Sequence, residues 1–233
     1  MSKAHTVLTH RDADAAPPAC AVPPYVRAHF VRRVYALVAV QLGTTAGAAA
    51  LCAGPLRAGA AAAAPYLVLG GSFWALALAC AQPCVRGRAP WNVLALGAFT
   101  LAESACVGGL AAVAPPGVIL VAAAATAALF AGLSLLACAL QRPLQWEGHC
   151  LALLVAAGAM AFVGCFYATS SSALALGVGF VGILGFAGLV LHDTSQLLHV
   201  YGPDDALDAA LQLYLDALNL FLCALQVLQA SEE

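Results

Sequence analysis

The stretch that decides the fold is the last long apolar run, residues 208–228, which reads DAALQLYLDALNLFLCALQVL. It is long enough to cross a bilayer as a helix, which takes about 20 residues. Its polar residues recur at steps of four and three, which places them on one stripe of that helix. We call these residues the polar stripe: Asp208, Gln212, Asp216, Asn219, Cys223 and Gln226.

A helix that is polar along one stripe and apolar elsewhere suits a span that lines an aqueous path or a bundle interior. The alternative is a helix lying flat on the membrane, whose polar face is typically basic. The polar stripe contains neither Lys nor Arg, which favours the span. A carboxylate at a helix centre costs about 2.5–3.5 kcal/mol on insertion scales. Asp216, in the middle of the run, is therefore expected to face the bundle interior.

The rest of the chain is equally apolar. Hydrophobic residues make up 63% and charged residues 9% of the 233 residues, whereas soluble domains carry about 25% charged residues. Continuously apolar runs predict membrane helices, because barrel strands would alternate. Six further runs cover residues 34–54, 62–82, 91–113, 117–140, 150–168 and 173–191. We predict an all-α, polytopic membrane protein with a bundle of seven transmembrane helices.

The first 29 residues are polar and interrupted by prolines, and we predict a disordered cytosolic tail over 1–29 and a membrane domain over 30–233. Eight of the nine basic residues fall on the N-terminal side of the predicted topology, and Arg57 is the exception. The excess of basic residues on cytosolic loops predicts a cytosolic N-terminus. The side on which the C-terminus lies depends on whether the seventh run spans or re-enters, and both options stay open.

Several classes of function find no support in the sequence. A net charge of −2 gives no basic field for nucleic acid. We find no phosphate loop, nucleophile elbow or metal-ligand cluster, and we expect neither an enzyme nor a cofactor. The nine cysteines include no CxxC pair. We interpret those inside apolar runs as small buried residues rather than as a disulfide framework or a zinc site.

Other ionisable residues are candidates for the same interior. Glu103 lies in the third run, and Asp193 at the end of the sixth could cap a helix, lie among headgroups or face the bundle. The acidic residues before the last run either stabilise the start of that helix or form a mouth that concentrates cations. We call them the acidic mouth: Asp204, Asp205 and Asp208. Candidates for lining the interior are Glu103, Gln212 and Asn219.

Four stretches resemble the Bax inhibitor motif family over about residues 30–228, and most of all its Lifeguard and Golgi anti-apoptotic branch. The last motif is the most specific, and the third has His192 where tyrosine is usual. The branch includes members encoded by large DNA viruses, which the alanine-rich composition favours. The stretches are FVRRVY (30–35) with VQL (40–42), PWN (90–92) with GAFTLAES (97–104), LHDTSQ (191–196) and ALQLYLDALNLF (210–221).

The resemblance implies a central helix surrounded by the others and a calcium-permeable leak pathway in endoplasmic reticulum or Golgi membranes. Such a leak would lower store calcium and suppress apoptosis. The positions that match the family's hydrogen-bonded, pH-sensing pair are Asp193 and Asp216, which would also contact calcium transiently. Arg86 or Arg88 matches an arginine that helps to hold the closed state. Asp204 or Asp205 matches an acidic position that affects conduction.

An alternative is a non-conducting membrane protein that binds or retains partner proteins, including immune ligands if the chain is viral. Calcium ions and the lipid bilayer are the partners that the first hypothesis requires, and membrane proteins are those of the second. An intramembrane protease of the presenilin type needs paired aspartates in YD and GxGD motifs, and the sequence disfavours it. The residue before Asp193 is His192 rather than Tyr, and no GxGD motif occurs. Calcium flux in liposomes separates the first two hypotheses.

Overall fold

The computed structural model describes residues 23–85, 87–140, 144 and 172–232. Within them the chain is helical, without a strand, and six helices are long and apolar enough to cross a membrane. The predicted run 150–168 lies outside the described residues, so the count of seven stays a prediction. The helices are α1 (Pro24–Ala53), α2 (Arg57–Val85), α3 (Trp91–Val113), α4 (Pro116–Ala139), α5 (Ser172–His199) and α6 (Ala206–Glu232), with a 3₁₀ turn at Pro203–Asp205.

The helix ends follow the chemistry of the breaks. The third predicted run, 91–113, coincides with α3. The first helix begins at Pro24 rather than at Phe30, so residues 24–29, which we assigned to the tail, are helical. A proline is tolerated in the first helical turn because its missing N–H would be unpaired there in any case. The helix of a span can therefore continue into polar residues beyond the hydrocarbon core of the bilayer.

The helices run between two ends of the bundle, which we call the Arg27 end and the Arg57 end. At the first, Arg27 at the start of α1 donates to the carbonyl of Tyr201, just after α5. At the second, Arg57 at the start of α2 donates to the carbonyl of Ala112 in the last turn of α3. Arg57 therefore lies apart from the start of α1, as its isolation in the predicted topology required.

The last helix, α6, occupies the centre of the described bundle, as the resemblance implied. It contacts α1, α3, α4 and α5. In its most apolar stretch 56% of the residues are buried, the largest share among the six candidate spans. The side chains of Leu213, Tyr214 and Leu220 are inaccessible. Because other helices surround it, α6 does not fit a helix lying flat on a surface, and it is long and apolar enough to cross a membrane.

The polar stripe changes character along α6. Gln212, near the Arg27 end, is exposed, whereas Asp216, Cys223 and Gln226 are buried. The Gln226 amide donates to the carbonyl of Ala175 in α5 at 3.1 Å. From Asp216 onward, buried members of the stripe face neighbouring helices, which agrees with the interior position that we predicted.

Glycines allow two of the helix contacts. A Cβ at Gly71 of α2 would lie 2.7 Å from the carbonyl oxygen of Ala102 in α3. A Cβ at Gly179 of α5 would lie 2.5 Å from Val227 Cγ2 in α6. Small residues permit such close approach between membrane helices.

The interpretation of the cysteines holds in part. Cys106 and Cys223 are buried, but Cys80, Cys84 and Cys138 are exposed on the outer faces of their helices. For Cys80 and Cys138, which lie inside apolar runs, the expectation of burial was wrong. A uniformly apolar run does not indicate which of its faces meets lipid.

Candidate functional site

The structure brings together two carboxyl groups from α5 and α6. Asp216 is 6% exposed, and it interacts with Asp193 both electrostatically and through a side-chain hydrogen bond. The other oxygen of Asp216, Oδ2, has no hydrogen-bond partner among the described residues. Two carboxyl groups within hydrogen-bonding distance of each other cannot both ionise without a cost in free energy, because like charges disfavour ionisation. We call Asp193 and Asp216 the acidic pair.

A hydrogen-bonded chain continues from the acidic pair along α5. His192 Nδ1 lies 2.9 Å from Asp193 Oδ1, and His192 Nε2 lies 3.2 Å from Gln196 Nε2. The same Gln196 nitrogen donates to the carbonyl of Leu144 at 3.2 Å. A carbonyl can only accept, so the Leu144 contact fixes the orientation of the Gln196 amide. His192, which stands where the family usually has tyrosine, thus bonds directly to Asp193.

The acidic mouth borders this site at the Arg27 end. Asp204 is exposed, and Asp205 Oδ2 accepts a hydrogen bond from the Gly202 amide at 3.0 Å. Asp205 therefore shapes the turn that starts α6. This agrees with one of the two interpretations of the acidic residues, that they stabilise the start of the last helix. Burial raises the pKa of Tyr201, and the charges of Asp193, Asp205 and Asp208 raise it further. Asp193 of the pair and two residues of the mouth therefore act on the same phenol.

Of the three residues predicted to line the interior, one is exposed and two are half-buried. Gln212 is exposed, and its Oε1 accepts a hydrogen bond from the Tyr201 hydroxyl at 2.6 Å. Glu103 is half-buried on α3, within electrostatic reach of Cys106 and Tyr214. Asn219 is half-buried, one turn beyond Asp216. Gln212 therefore binds the connection between α5 and α6 instead of joining the acidic pair.

Arg27 makes a contact that ties the start of α1 to the end of α5. Its Nη1 donates to the carbonyls of Leu197 and Tyr201 at 3.1 and 2.5 Å. Its guanidinium lies 5.7 Å from the centre of the Phe30 ring, within range of a cation–π contact. Arg86 lies outside the described residues and Arg88 is exposed. In the sequence Arg27 contributes to the excess of basic residues, but nothing in its local pattern indicates this contact.

A second polar cluster joins α1, α3 and α6 in the bundle interior. Gln41 Nε2 donates to Thr100 Oγ1 at 3.1 Å. The Thr45 hydroxyl lies 3.1 Å from that of Ser104 and 2.7 Å from that of Tyr214. We call these five residues the hydroxyl cluster. Sequence reasoning missed it as a unit, although hydroxyl residues inside apolar runs were a signal that could have found it.

Comparison with known proteins decides the family. Residues 27–233 match the family described as "Inhibitor of apoptosis-promoting Bax1". The chain belongs to this family. It is 29% identical over 214 residues to the "Golgi anti-apoptotic protein" of Vaccinia virus (strain Lister), covering 90% of this chain and 88% of the relative. It is 31% identical over 212 residues to "Protein lifeguard 4" of Mus musculus, covering 88% and 87%.

The four motif stretches of this Bax inhibitor family member converge on α6. The first stretch meets α6 where Phe30 packs in one cluster with Ala209 and Leu213, and the third meets it where Asp193 is hydrogen-bonded to Asp216. The second and fourth meet where the Phe99 and Tyr214 rings lie edge to face, with centroids 6.3 Å apart. The family resemblance seen in the sequence therefore corresponds to the packing around the central helix.

An apolar cavity of about 590 Å³ lies between α1 and α4, with Ala217 and Phe221 of α6 among its lining residues. Thr45 and Thr126 are the polar side chains that line it. Such a wall cannot replace the hydration shell of a cation, so we place the candidate ion site of this family member at the acidic pair.

Proposed function

We propose that this chain is a calcium-permeable leak channel of endoplasmic reticulum or Golgi membranes, gated by protons at the acidic pair, and that it suppresses apoptosis by lowering store calcium. The observation that carries the proposal is the Asp216 carboxyl group, which is buried in the central helix, bonded to Asp193 and has one oxygen unpartnered among the described residues.

A carboxyl oxygen left without a partner in a membrane interior costs free energy. Intramembrane carboxyl groups mark ion pathways and proton relays in membrane proteins. Carboxylate oxygens are the ligands that Ca²⁺ prefers, and the ion accepts water in its remaining positions. Asp193 and Asp216, on two helices, therefore supply the donor set for a transient calcium site, with calcium as the transported substrate.

The proton dependence follows from the contact between the two carboxyl groups. With one proton shared, the pair bridges α5 and α6 and favours the closed state. When that proton leaves, two negative charges repel each other in a poorly hydrated place and attract a cation. Flux is therefore expected to rise with pH.

The cellular role rests on the family. Its description names inhibition of apoptosis-promoting Bax1, and the vaccinia relative is named for the Golgi and for anti-apoptotic action. A lower calcium content of the store weakens calcium-driven death signals. The same names support the proposed location in the Golgi or endoplasmic reticulum.

The topology that we propose has seven spans and a cytosolic N-terminus. The Leu144 amide donates to Ser195 Oγ near the end of α5, whereas α5 begins at Ser172. At 1.5 Å per residue, Ser172 and Ser195 are roughly 35 Å apart along the helix. Leu144 and Ser172 thus lie at opposite ends of the bundle, which supports a further crossing between them. The excess of basic residues supports a cytosolic Arg27 end.

Calcium uptake into proteoliposomes that enclose a calcium indicator tests the proposal, measured from about pH 5 to pH 8. The parent is expected to conduct more at high pH, and Asp193→Asn and Asp216→Asn are each expected to flatten the profile. Glu232→Gln is the matched control, because it neutralises a carboxyl group at the far end of α6, away from the pair. Flux no greater than that of protein-free liposomes would favour the non-conducting interaction protein.

A further inference from the structure

The apolar cavity between α1 and α4 is a crevice in the side of the bundle. Both helices pack against α6, but in the described bundle they do not form a packed pair with each other. Ala217, Leu218 and Phe221 of α6 form the floor of the crevice. Leu120, which is 72% exposed, lies on its rim together with the exposed Ala46. Because the helices around it are candidate membrane spans, the open side of the crevice faces hydrocarbon.

The shape of the crevice suits a hydrocarbon chain and excludes a helix. Its lining extends from Leu42 to Ala53 on α1 and from Pro116 to Phe130 on α4, which is roughly 16–21 Å of helix. Over that length, a volume of about 590 Å³ corresponds to a cross-section of roughly 30 Å², against about 80 Å² for a helix about 10 Å in diameter. The length is close to that of one leaflet, about 15 Å of hydrocarbon. A single acyl chain therefore fits where a helix does not.

Arg57 lies where the crevice reaches the Arg57 end, close to its last lining residues, Ala53 and Pro116. Its guanidinium donates to the carbonyls of Ala112 and Ala114 at 3.2 and 3.5 Å, just before α4 begins at Pro116. These bonds use two of the five N–H groups of a guanidinium, and Arg57 is exposed. In the part of the chain that the structure describes, it is the only Lys or Arg at this end. A guanidinium binds phosphate through paired N–H groups, so the mouth of the crevice is complementary to a lipid phosphate.

We propose that the crevice binds one phospholipid from the leaflet at the Arg57 end, with an acyl chain between α1 and α4 and the phosphate at Arg57. The chain covers the part of the central helix that the described helices leave open to the side. The polar lining residues, Thr45 and Thr126, are both buried, and Thr45 is bonded within the hydroxyl cluster. The lipid site is separate from the acidic pair and does not require that the protein conducts ions.

Native mass spectrometry of the full chain, released from nanodiscs of palmitoyl-oleoyl phosphatidylcholine, tests whether a lipid is retained. We expect the parent to keep one phospholipid. Ala123→Phe places a ring in the crevice, which Ala123 lines, and we expect about tenfold less retained lipid. Ala124→Phe is the matched control, because Ala124 is the next exposed residue of α4 and lies outside the lining. A parent without lipid, or equal retention in the two variants, would overturn the proposal.

The phosphate contact is tested in the same experiment. Arg57→Gln removes the charge at the mouth of the crevice, and we expect about tenfold less retained phosphatidylcholine. Arg57→Lys keeps a positive charge and should retain more lipid than Arg57→Gln. Retention in Arg57→Gln equal to that in the parent would refute the placement of the phosphate.

Photolabelling of the unaltered protein gives a test that needs no variant to fold. The reagent is a phosphatidylcholine with a diazirine near the middle of one acyl chain, whose carbene inserts into the residues that it touches. We expect label on Ala217 and Leu218, which are 2% and 5% exposed and which a chain reaches through the crevice. Label confined to the outer faces of the helices, such as Tyr66 and Leu69 of α2, which are 81% and 66% exposed, would overturn the acyl-chain site.

Discussion

The hydroxyl groups of Thr45 and Tyr214 lie 2.7 Å apart and tie α1 to the central helix. Thr45 also donates to or accepts from Ser104 of α3 and lies 3.0 Å from the Gln41 carbonyl one turn earlier. Three helices therefore meet at one hydroxyl. In a bundle whose faces are largely apolar, these contacts fix which residues face each other, because apolar contact alone is indifferent to small rotations of a helix.

Removing one hydroxyl from this junction should weaken the fold. Tyr214→Phe leaves Thr45 without that partner in a buried place, and we expect a loss of about 1–2 kcal/mol in the free energy of unfolding. A fall in the midpoint of thermal unfolding in detergent would report it. Tyr66→Phe is the control, since Tyr66 is 81% exposed. Equal midpoints for both variants would contradict a stabilising role for the contact.

Two adjacent glycines of α2 should respond in opposite ways to the same substitution. A Cβ at Gly71 would meet the backbone oxygen of Ala102 at 2.7 Å, whereas a Cβ at Gly70 would meet nothing within 4 Å. Gly71→Ala is expected to destabilise the α2–α3 contact by about 1–3 kcal/mol. Gly70→Ala should be neutral or slightly stabilising, because alanine favours helix. Thermal unfolding of the two variants compares them, and a neutral Gly71→Ala would show that α2 can shift freely.

The link between α1 and the end of α5 should depend on the Arg27 guanidinium. Arg27→Ala removes the donor to the carbonyls of Leu197 and Tyr201, and we expect about tenfold faster amide exchange around residues 197–205. Hydrogen–deuterium exchange with mass spectrometry measures it. Arg33→Ala removes an exposed charge from the same helix and should leave the exchange unchanged. If both variants accelerate exchange alike, charge and not the contact is responsible.

The acidic mouth should separate into an electrostatic and a structural part. Asp204 is exposed, so Asp204→Asn should reduce calcium flux at low ionic strength and have little effect at high salt, where exposed charges are screened. Asp205 also accepts a hydrogen bond from the Gly202 amide, so Asp205→Ala, which removes the acceptor, should reduce flux at every salt concentration. Flux in proteoliposomes at two salt concentrations distinguishes them. The same salt dependence for both variants would refute the division.

The proposed orientation can be tested with single cysteines in a background where all nine native cysteines are replaced by serine. Ala89→Cys lies near the Arg27 end and Ala58→Cys near the Arg57 end, and both positions are exposed. A membrane-impermeant maleimide added from the cytosolic side should label Ala89→Cys and spare Ala58→Cys. The reverse pattern would invert the topology.

Hydropathy predicted most of the spans because the length of an apolar run is set by the thickness of the bilayer. The period of the polar stripe predicted that Asp216 would be buried. Neither the length of an apolar run nor the period of a polar stripe determines how one helix is rotated against another. The contacts of Arg27 with carbonyls some 170 residues later and the exposure of Cys80 therefore required the packed structure. Asp193 and Asp216 were paired only by resemblance to a family, since each motif alone is a local pattern.

The central position of α6 has a consequence for biosynthesis. The ribosome delivers α6 after the other described helices, yet α6 is the helix around which they pack. Until it arrives, Phe30, Leu197 and Phe99 lack the partner that buries them. The earlier helices can pack α2 on α3 and α3 on α1 before then, but the faces that receive α6 stay uncovered until it arrives. The Asp216 carboxyl group is shielded from lipid only once α6 has packed against its neighbours.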